Sequence, residues 1–214
     1  MKALFADRPF NEKYHLGAVN SINWARILAQ TVYYFLAYFH VRKQKQISHP
    51  EKSSQIQFVV PTGNFGDVLA GYYAKRMGLP MGKLVVATNS NDILSRFWRS
   101  GRYEQVDSTP DGGLGDRKPA GGGVVQATLS PAMDILVSSN FERLLWYLAY
   151  ESSSAAPDSA RRASAGATID CWMKSVKTNG RVEVPVEVLE LARQDFLAER
   201  VSDDQVCVLC IVTW

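Results

Sequence analysis

Apolar side chains recur at helical spacing near the start of the chain. In the segment NSINWARILAQTVYYFLAYFHVRKQ, Trp24, Ala25, Leu28, Val32, Phe35, Leu36 and Phe39 fall on one stripe. This predicts a long helix buried in the core of a larger fold. Ser21 stands where an N-cap is needed, and the basic residues at 42–45 suit the C-terminal dipole. Tyr34 and Tyr38 carry the apolar character onto a second face. Residues 56–60, IQFVV, read as a short buried strand, and a helix follows over about 67–77. Gly78 and Pro80 stop that helix. Residues 83–88, KLVVAT, read as a second strand, and NSNDILSRFWRSG as a helix ended by Gly101. Strand, helix, strand, helix is the order of an α/β layer with a parallel sheet and flanking helices.

The second half is less regular. Residues 107–123, DSTPDGGLGDRKPAGGG, form a long loop of the kind that is usually functional or mobile. Residues 124–129 read as extended. The segment SSNFERLLWYLAYESS reads as a helix with a capping box, Ser139 with Glu142. Residues 151–184 include a Ser/Ala-rich stretch that reads as a flexible connection. A last helix is expected from Pro185, with Val188, Leu189, Ala192 and Phe196 on its apolar stripe. The tail VCVLCIVTW reads as a strand or an exposed end. Its Cys207 and Cys210 have no paired histidines to complete a zinc site, since His15, His40 and His49 lie far away in sequence. They read as buried thiols, and no metal is expected.

Composition narrows the function classes. The 214 residues are 46% hydrophobic and 21% charged, enough to bury a core. A net charge of +3 without a long basic run gives no reason to expect nucleic acid. Three cysteines suit a reducing compartment. Without a signal-like start or a long uncharged apolar run, a cytoplasmic chain with no membrane span is expected. Unconventional secretion is the alternative location.

The stretch FVVPTGNFGDVLAGYYAKRMGLP joins the first strand to its helix through T-G-N-F-G-D. The first N–H groups of a helix have no internal partner, and the dipole places partial positive charge there. Gly63 and Gly66 allow a tight turn and close backbone approach. Asn64 adds a side-chain donor, so a phosphate dianion fits without Lys or Arg. Asp67 would be repelled by such an anion and is expected to cap neighbouring N–H groups or orient a donor. The turn is neither a Walker loop nor a dinucleotide fingerprint, and a plain strand-to-helix turn is the alternative.

Four segments together carry a family resemblance: NSINWARILAQTVYYF, FVVPTGNFGDVLAGYYAKRMGLP, LVVATNSNDIL and SPAMDILVSSNFERLL. In this order they resemble threonine synthase and the threonine synthase-like proteins, from about residue 2 to about residue 148. The resemblance implies part of the large domain of a tryptophan-synthase-β-like fold (pyridoxal phosphate fold type II). It implies the cofactor pyridoxal 5′-phosphate, held by the backbone of Gly63, Asn64, Phe65 and Gly66 with Asp67 as their partner. It implies phosphate elimination from an O-phospho amino acid, as a phospho-lyase or a threonine synthase. The family's Schiff-base lysine lies in a Phe-Lys-Asp context, and no lysine of this chain follows Phe and precedes Asp. The family's S-G-D-T-G loop is absent too. No catalytic residue is therefore expected in this chain, and little catalysis by the chain alone.

The expected organisation is a cofactor-binding portion over 1–150, the flexible connection over 151–184, and a helix with a divergent apolar tail over 185–214. A family polypeptide lacking its N-terminal half and usual C-terminus, as an alternative transcript gives, fits this pattern. It would leave a sheet edge and an apolar face uncovered, favouring self-association or a protein partner. A non-catalytic binding or signalling role is the alternative function. Asn89, Asn91, Ser130 and Asp134 lie in matched segments near where substrate would sit, and read as loop and cap residues.

Overall fold

The computed structural model describes residues 6–17, 20–48, 55–105 and 125–205, and of residues 45–48 the backbone alone. The helices are α1 (Arg8–Tyr14), α2 (Trp24–Ser48), α3 (Gly66–Arg76), α4 (Ile93–Ser100), α5 (Phe141–Ser152), α6 (Asp158–Asn179) and α7 (Val186–Asp195). The strands are β1 (Val59–Pro61), β2 (Leu84–Thr88), β3 (Arg102–Glu104), β4 (Arg181–Glu183) and β5 (Phe196–Arg200). β1, β2 and β5 form a parallel sheet in the order β1–β2–β5, with Val60 opposite Val86 and Val86 opposite Ala198. β3 and β4 pair antiparallel as a separate ribbon. The α/β class with a parallel sheet and flanking helices is thus the architecture observed.

The central strand is built for burial. Leu84, Val86 and Thr88 of β2 are all buried, and Val85 and Ala87 are partly covered. Around the sheet lies an aromatic core of Phe65, Phe97, Trp98, Phe141 and Phe196. α3 packs against α2 at Gly71, where a Cβ would stand 2.7 Å from the Tyr34 ring. Glycine in a helix interior costs roughly 0.5–1 kcal/mol, and here it admits a whole buried Tyr ring.

The long helix is present, but its apolar stripe faces outward. Trp24, Leu28, Val32, Leu36 and Phe39 are all more than half exposed, while Ile27, Thr31, Tyr34 and Tyr38 face the core. Two apolar faces compete on this helix, and the one carrying the tyrosines packs on α3. Asn23, not Ser21, caps it: the Ala25 N–H donates to Asn23 Oδ1 at 2.9 Å.

Residues 151–184 are not a loose connection. Most of them form α6, 22 residues long. Alanine is the best helix former. Asp158–Arg162 and Asp170–Lys174 add ion pairs one turn apart. Ala165, Ile169 and Val176 are buried, so small residues make a packed face that composition reads as low complexity. The helix ends at Gly180, φ +70°.

Three further differences are local. Pro185 is the N-cap of α7 and not its first helical residue. Phe196 opens β5, and its ring is buried in the aromatic core. β5 pairs with β2 along its whole length, so residues 196–200 belong to the same sheet as the first 150. Residues 125–129 form no strand. The 107–123 loop and the Cys207–Cys210 pair lie outside the described residues.

Candidate phosphate-binding site

The turn between β1 and α3 is folded by its apolar member. Phe65 takes a left-handed conformation, φ +62°. That costs a side-chain-bearing residue roughly 1–2 kcal/mol. Its ring is 1% exposed, with the rings of Trp98, Phe141 and Phe196 at 6.1, 5.3 and 6.1 Å. Burying a Phe is worth about 1.5–3 kcal/mol, so the core repays the strain and fixes the turn. Phe65 therefore offers only its backbone to a ligand.

Asn140 ties this turn to two other segments. It is fully buried. Its amide donates to the Ser21 carbonyl at 2.6 Å and to the Asn64 carbonyl at 2.9 Å. Its backbone N–H also donates to the Asn64 carbonyl, at 3.1 Å. Arg143 donates to Asn140 Oδ1 at 2.8 Å and to the Ile22 carbonyl at 2.7 Å. The approach to α2, the turn and the start of α5 are thus joined at one point.

Ser139 does not close a capping box with Glu142. α5 begins at Phe141 with Asn140 as N-cap and no side-chain cap bond. The Ser139 hydroxyl and N–H donate instead to Asn64 Oδ1, at 3.1 and 3.4 Å. This pairing fixes the Asn64 amide with its oxygen toward Ser139. Its NH₂ has no acceptor among the described residues and remains a donor.

Above the turn lies a roof, the single 3₁₀ turn Pro131–Met133. A Cβ on Gly63 would stand 3.0 Å from Met133 Cα and 3.2 Å from the Ala132 carbonyl oxygen. Asp134 anchors the roof. Its carboxylate accepts from Asn89 and Asn91 amides at 2.7 and 3.0 Å, and from the Thr128 hydroxyl and N–H at 2.7 and 3.0 Å. Burial alone would raise the Asp134 carboxyl; bonds from Thr128, Asn89 and Asn91 outweigh it and hold the group below its usual range. Asn89, Asn91 and Asp134 thus form a clamp at the end of β2, and every Asp134 oxygen is used by protein. The Ser130 N–H joins the same network, donating to Thr128 Oγ1 at 3.0 Å.

The donors an anion needs are present. Among the described residues, the N–H groups of Gly63, Asn64, Phe65, Gly66 and Asp67 have no acceptor, and the first such bond in α3 is Leu69 to Phe65. Five consecutive unpaired donors at a helix N-terminus, partly covered by a roof, make a cradle for a phosphate-sized anion. Asp67 does not cap these groups. Its Oδ1 is buried with no partner. The Tyr34 hydroxyl donates to its backbone carbonyl at 2.8 Å. Burial pushes the Asp67 carboxyl above its usual range, and the Tyr34 hydroxyl opposes that only in part. A carboxyl that resists ionising is compatible with an anion nearby. A separate cleft of about 590 Å3, lined in part by Arg102, Trp172 and Arg181, shares no residue with the turn.

Sequence reasoning found the turn and missed its supports. Asn140 in front of an apolar helix reads as an ordinary cap, and nothing local shows that its amide reaches Ser21. The Ala132–Met133 roof has no pattern at all. Tyr34 is visible only as an apolar helix position.

No protein-family profile matches the sequence. Threonine synthase of Schizosaccharomyces pombe is 54% identical over 205 residues, 96% of this chain and 37% of the relative. Mouse threonine synthase-like 1 is 44% identical over 134 residues, 63% of this chain and 16% of the relative. The crystal structure of yeast threonine synthase superposes with a TM-score of 0.76 at 50% identity, over 95% of this chain and 34% of that one. A pyridoxal phosphate-bound threonine synthase from Brucella melitensis gives 0.72 at 39% identity, over 95% and 36%. The likeness thus runs well past residue 148, through α6 and α7. The chain spans about a third of the length of these threonine synthases. Over nearly its whole length this stretch is homologous to these threonine synthases, and over 63% of it to the mouse threonine synthase-like protein.

Proposed function

We propose that the turn from Gly63 to Asp67 holds the phosphate of pyridoxal 5′-phosphate, in a protein of threonine synthase type acting on an O-phosphorylated amino acid. The observation that carries this reading is the run of five unpaired N–H groups beneath the Pro131–Met133 roof. The Brucella relative, bound to the same cofactor, supports it. When bound, the cofactor supplies an electron sink for bond breaking at an amino acid's α-carbon. This chain's own residues bind and orient. The backbone from Gly63 to Gly66 receives the phosphate, the Asn64 NH₂ adds a donor, and Asn140 keeps the turn in place. No lysine here sits in the Phe-Lys-Asp context, so this stretch supplies the cradle while the rest of a family polypeptide supplies the covalent attachment. Phosphate elimination, whether as phospho-lyase or synthase, belongs to that larger whole.

A thermal-shift titration of the purified chain with pyridoxal phosphate, and separately with inorganic phosphate, tests this. Both should raise Tm, and Gly63→Asp should abolish both rises by placing a side chain and a charge in the gap. Borohydride should trap no lysine. A visible band with one reduced lysine would show a substitute attachment and overturn the division of labour. No rise in wild type with either ligand would overturn the cradle itself.

A further inference from the structure

Arg143 is a cation without an anion. Among the described residues its guanidinium pairs with no carboxylate. Its donors go to neutral oxygens, Asn140 Oδ1 at 2.8 Å and the Ile22 carbonyl at 2.7 Å. It also stands in the first turn of α5, where a positive charge opposes the helix dipole. A charge in an unfavourable place, aimed at a buried amide, calls for a reason.

The Asn140 amide supplies one. Its oxygen is taken by Arg143, so its NH₂ must face the other side. There one proton meets the Ser21 carbonyl at 2.6 Å and the other the Asn64 carbonyl at 2.9 Å. Turned over, the amide would set its oxygen against two carbonyl oxygens and its NH₂ against a guanidinium, and all three bonds would be lost. A cation on the amide oxygen also polarises the group and strengthens its N–H donors. The effect reaches the turn through one peptide. The Asn64 carbonyl accepts from both the NH₂ and the backbone N–H of Asn140, which holds it toward α5. The Asn64–Phe65 peptide is trans, and in a trans peptide the next N–H points opposite to the carbonyl. The Phe65 N–H, one of the five unpaired donors of the cradle, is thereby turned away from α5 and left open to a ligand.

We propose that Arg143 is a positioning residue of the cradle. It sets the Asn140 amide one way round, and that amide fixes the direction in which the Phe65 N–H faces. The bearing of this on phosphate rests on the proposed function; the effect of Arg143 on Asn140 does not. The guanidinium fork matters as well as the charge. Two separate nitrogens reach Asn140 and Ile22, whereas a lysine ammonium offers a single point.

Two NMR measurements on the purified 214-residue chain test this. Without ligand, the Asn140 side-chain NH₂ protons should exchange slowly with water, and Arg143→Met should speed that exchange by at least about tenfold. Unchanged exchange would overturn the proposal whether or not the cradle binds anything. Titration with inorganic phosphate, followed at the Gly63 and Phe65 amide resonances, then reads the cradle. Arg143→Met should weaken binding about tenfold, with Arg143→Lys between it and wild type. Unchanged affinity in a folded Arg143→Met chain, with only Tm lowered, would reduce Arg143 to a structural contact and overturn the proposal. Wild-type affinity in Arg143→Lys would assign the effect to charge alone and overturn it too. On an Asn140→Ser background, which keeps a good N-cap, Arg143→Met should weaken binding no further. A further loss of similar size there would mean that Arg143 acts on the anion directly, against the proposal. If Arg143→Met does not fold, Arg143→Lys decides, by faster exchange and weaker binding than wild type. Should wild type bind no phosphate while the Asn140 exchange responds as expected, the proposed function fails and the assignment of Arg143 to Asn140 stands.

Discussion

Replacing Gly63 by Ala adds one methyl group in a place the structure has closed. The new Cβ would stand 3.0 Å from Met133 Cα, 3.2 Å from the Ala132 carbonyl oxygen and 3.4 Å from Met133 C. Carbon pairs prefer about 3.5–4.0 Å, so the roof must retreat by about 0.5 Å. All three atoms are backbone and cannot swing aside as a side-chain tip would. The roof is pinned by the four bonds to Asp134 and by the Met133 N–H on the Ser130 carbonyl at 2.9 Å. Overpacking of this kind costs about 1–3 kcal/mol. The lost glycine freedom of the unfolded chain returns about 0.4–1 kcal/mol. The net is a loss of about 1–2 kcal/mol, or about 2–8 °C in Tm at 2–4 °C per kcal/mol for this size. Lifting the roof also opens the cradle, so affinity for pyridoxal phosphate should fall about tenfold, equivalent to about 1.4 kcal/mol. Differential scanning calorimetry with and without ligand reads both effects. A Tm equal to or above wild type, with ligand affinity intact, would show that the roof is not seated on the turn.

Asn140→Ala removes three side-chain hydrogen bonds from a fully buried position and should lower stability by about 3 kcal/mol, at about 1 kcal/mol per bond; the urea midpoint measures it. Gly71→Ala drives a methyl to 2.7 Å from the Tyr34 ring and 3.0 Å from Leu84 Cδ2, costing about 1–3 kcal/mol; Tyr34→Phe, which spares the ring, should cost only about 1 kcal/mol. The two aspartates should respond to pH in opposite directions. Asp134 has a lowered folded value, so its contribution is present above the unfolded value near 3.9 and is lost as pH falls through the folded one. Asp134→Asn should therefore be less stable than wild type at pH 7, and the gap should close in acid. Asp67 has a raised folded value, so wild type loses stability as pH rises from the unfolded value through the folded one. Asp67→Asn should gain on wild type as pH rises above the unfolded value near 3.9. Stability curves for both variants across pH decide each case, and equal slopes for wild type and variant would refute the assigned environments.

The elements that sequence reading located are those whose cause is local. β2 is a short apolar run between breakers, and α3 has a glycine-rich entry and a Gly78–Pro80 exit, so each is visible without tertiary knowledge. α6 was hidden because its buried face is made of Ala165, Ile169 and Val176 within a Ser/Ala-rich stretch, and small residues carry little periodic signal. The orientation of α2 was hidden for the opposite reason. Both its faces are apolar, and which one turns inward depends on Gly71, 37 residues along the chain, accepting Tyr34. In the site, the glycines and Asn64 announced an anion turn, while Asn140 and the roof act only through long-range contacts. Asp67 shows the limit of arguing from residue type. A carboxylate at a helix start is usually a cap, yet here its Oδ1 has no partner.

The cradle is therefore better understood as a junction than as a motif. Its donors come from one turn, and three supports hold that turn in place. Phe65 anchors it in the core, Asn140 and Ser139 fix Asn64 from the start of α5, and the Asp134 clamp sets the roof from the end of β2. Each support lies within the matched stretch, so this third of the relatives' length carries everything that shapes the proposed phosphate site. The proposed division of labour rests on the same geometry. A phosphate needs only N–H groups fixed by packing, and this stretch supplies them. The proposed attachment needs a lysine side chain aimed at the cofactor, and no lysine of this chain stands in the Phe-Lys-Asp context. Under the proposed function the lone chain should therefore bind pyridoxal phosphate without turnover.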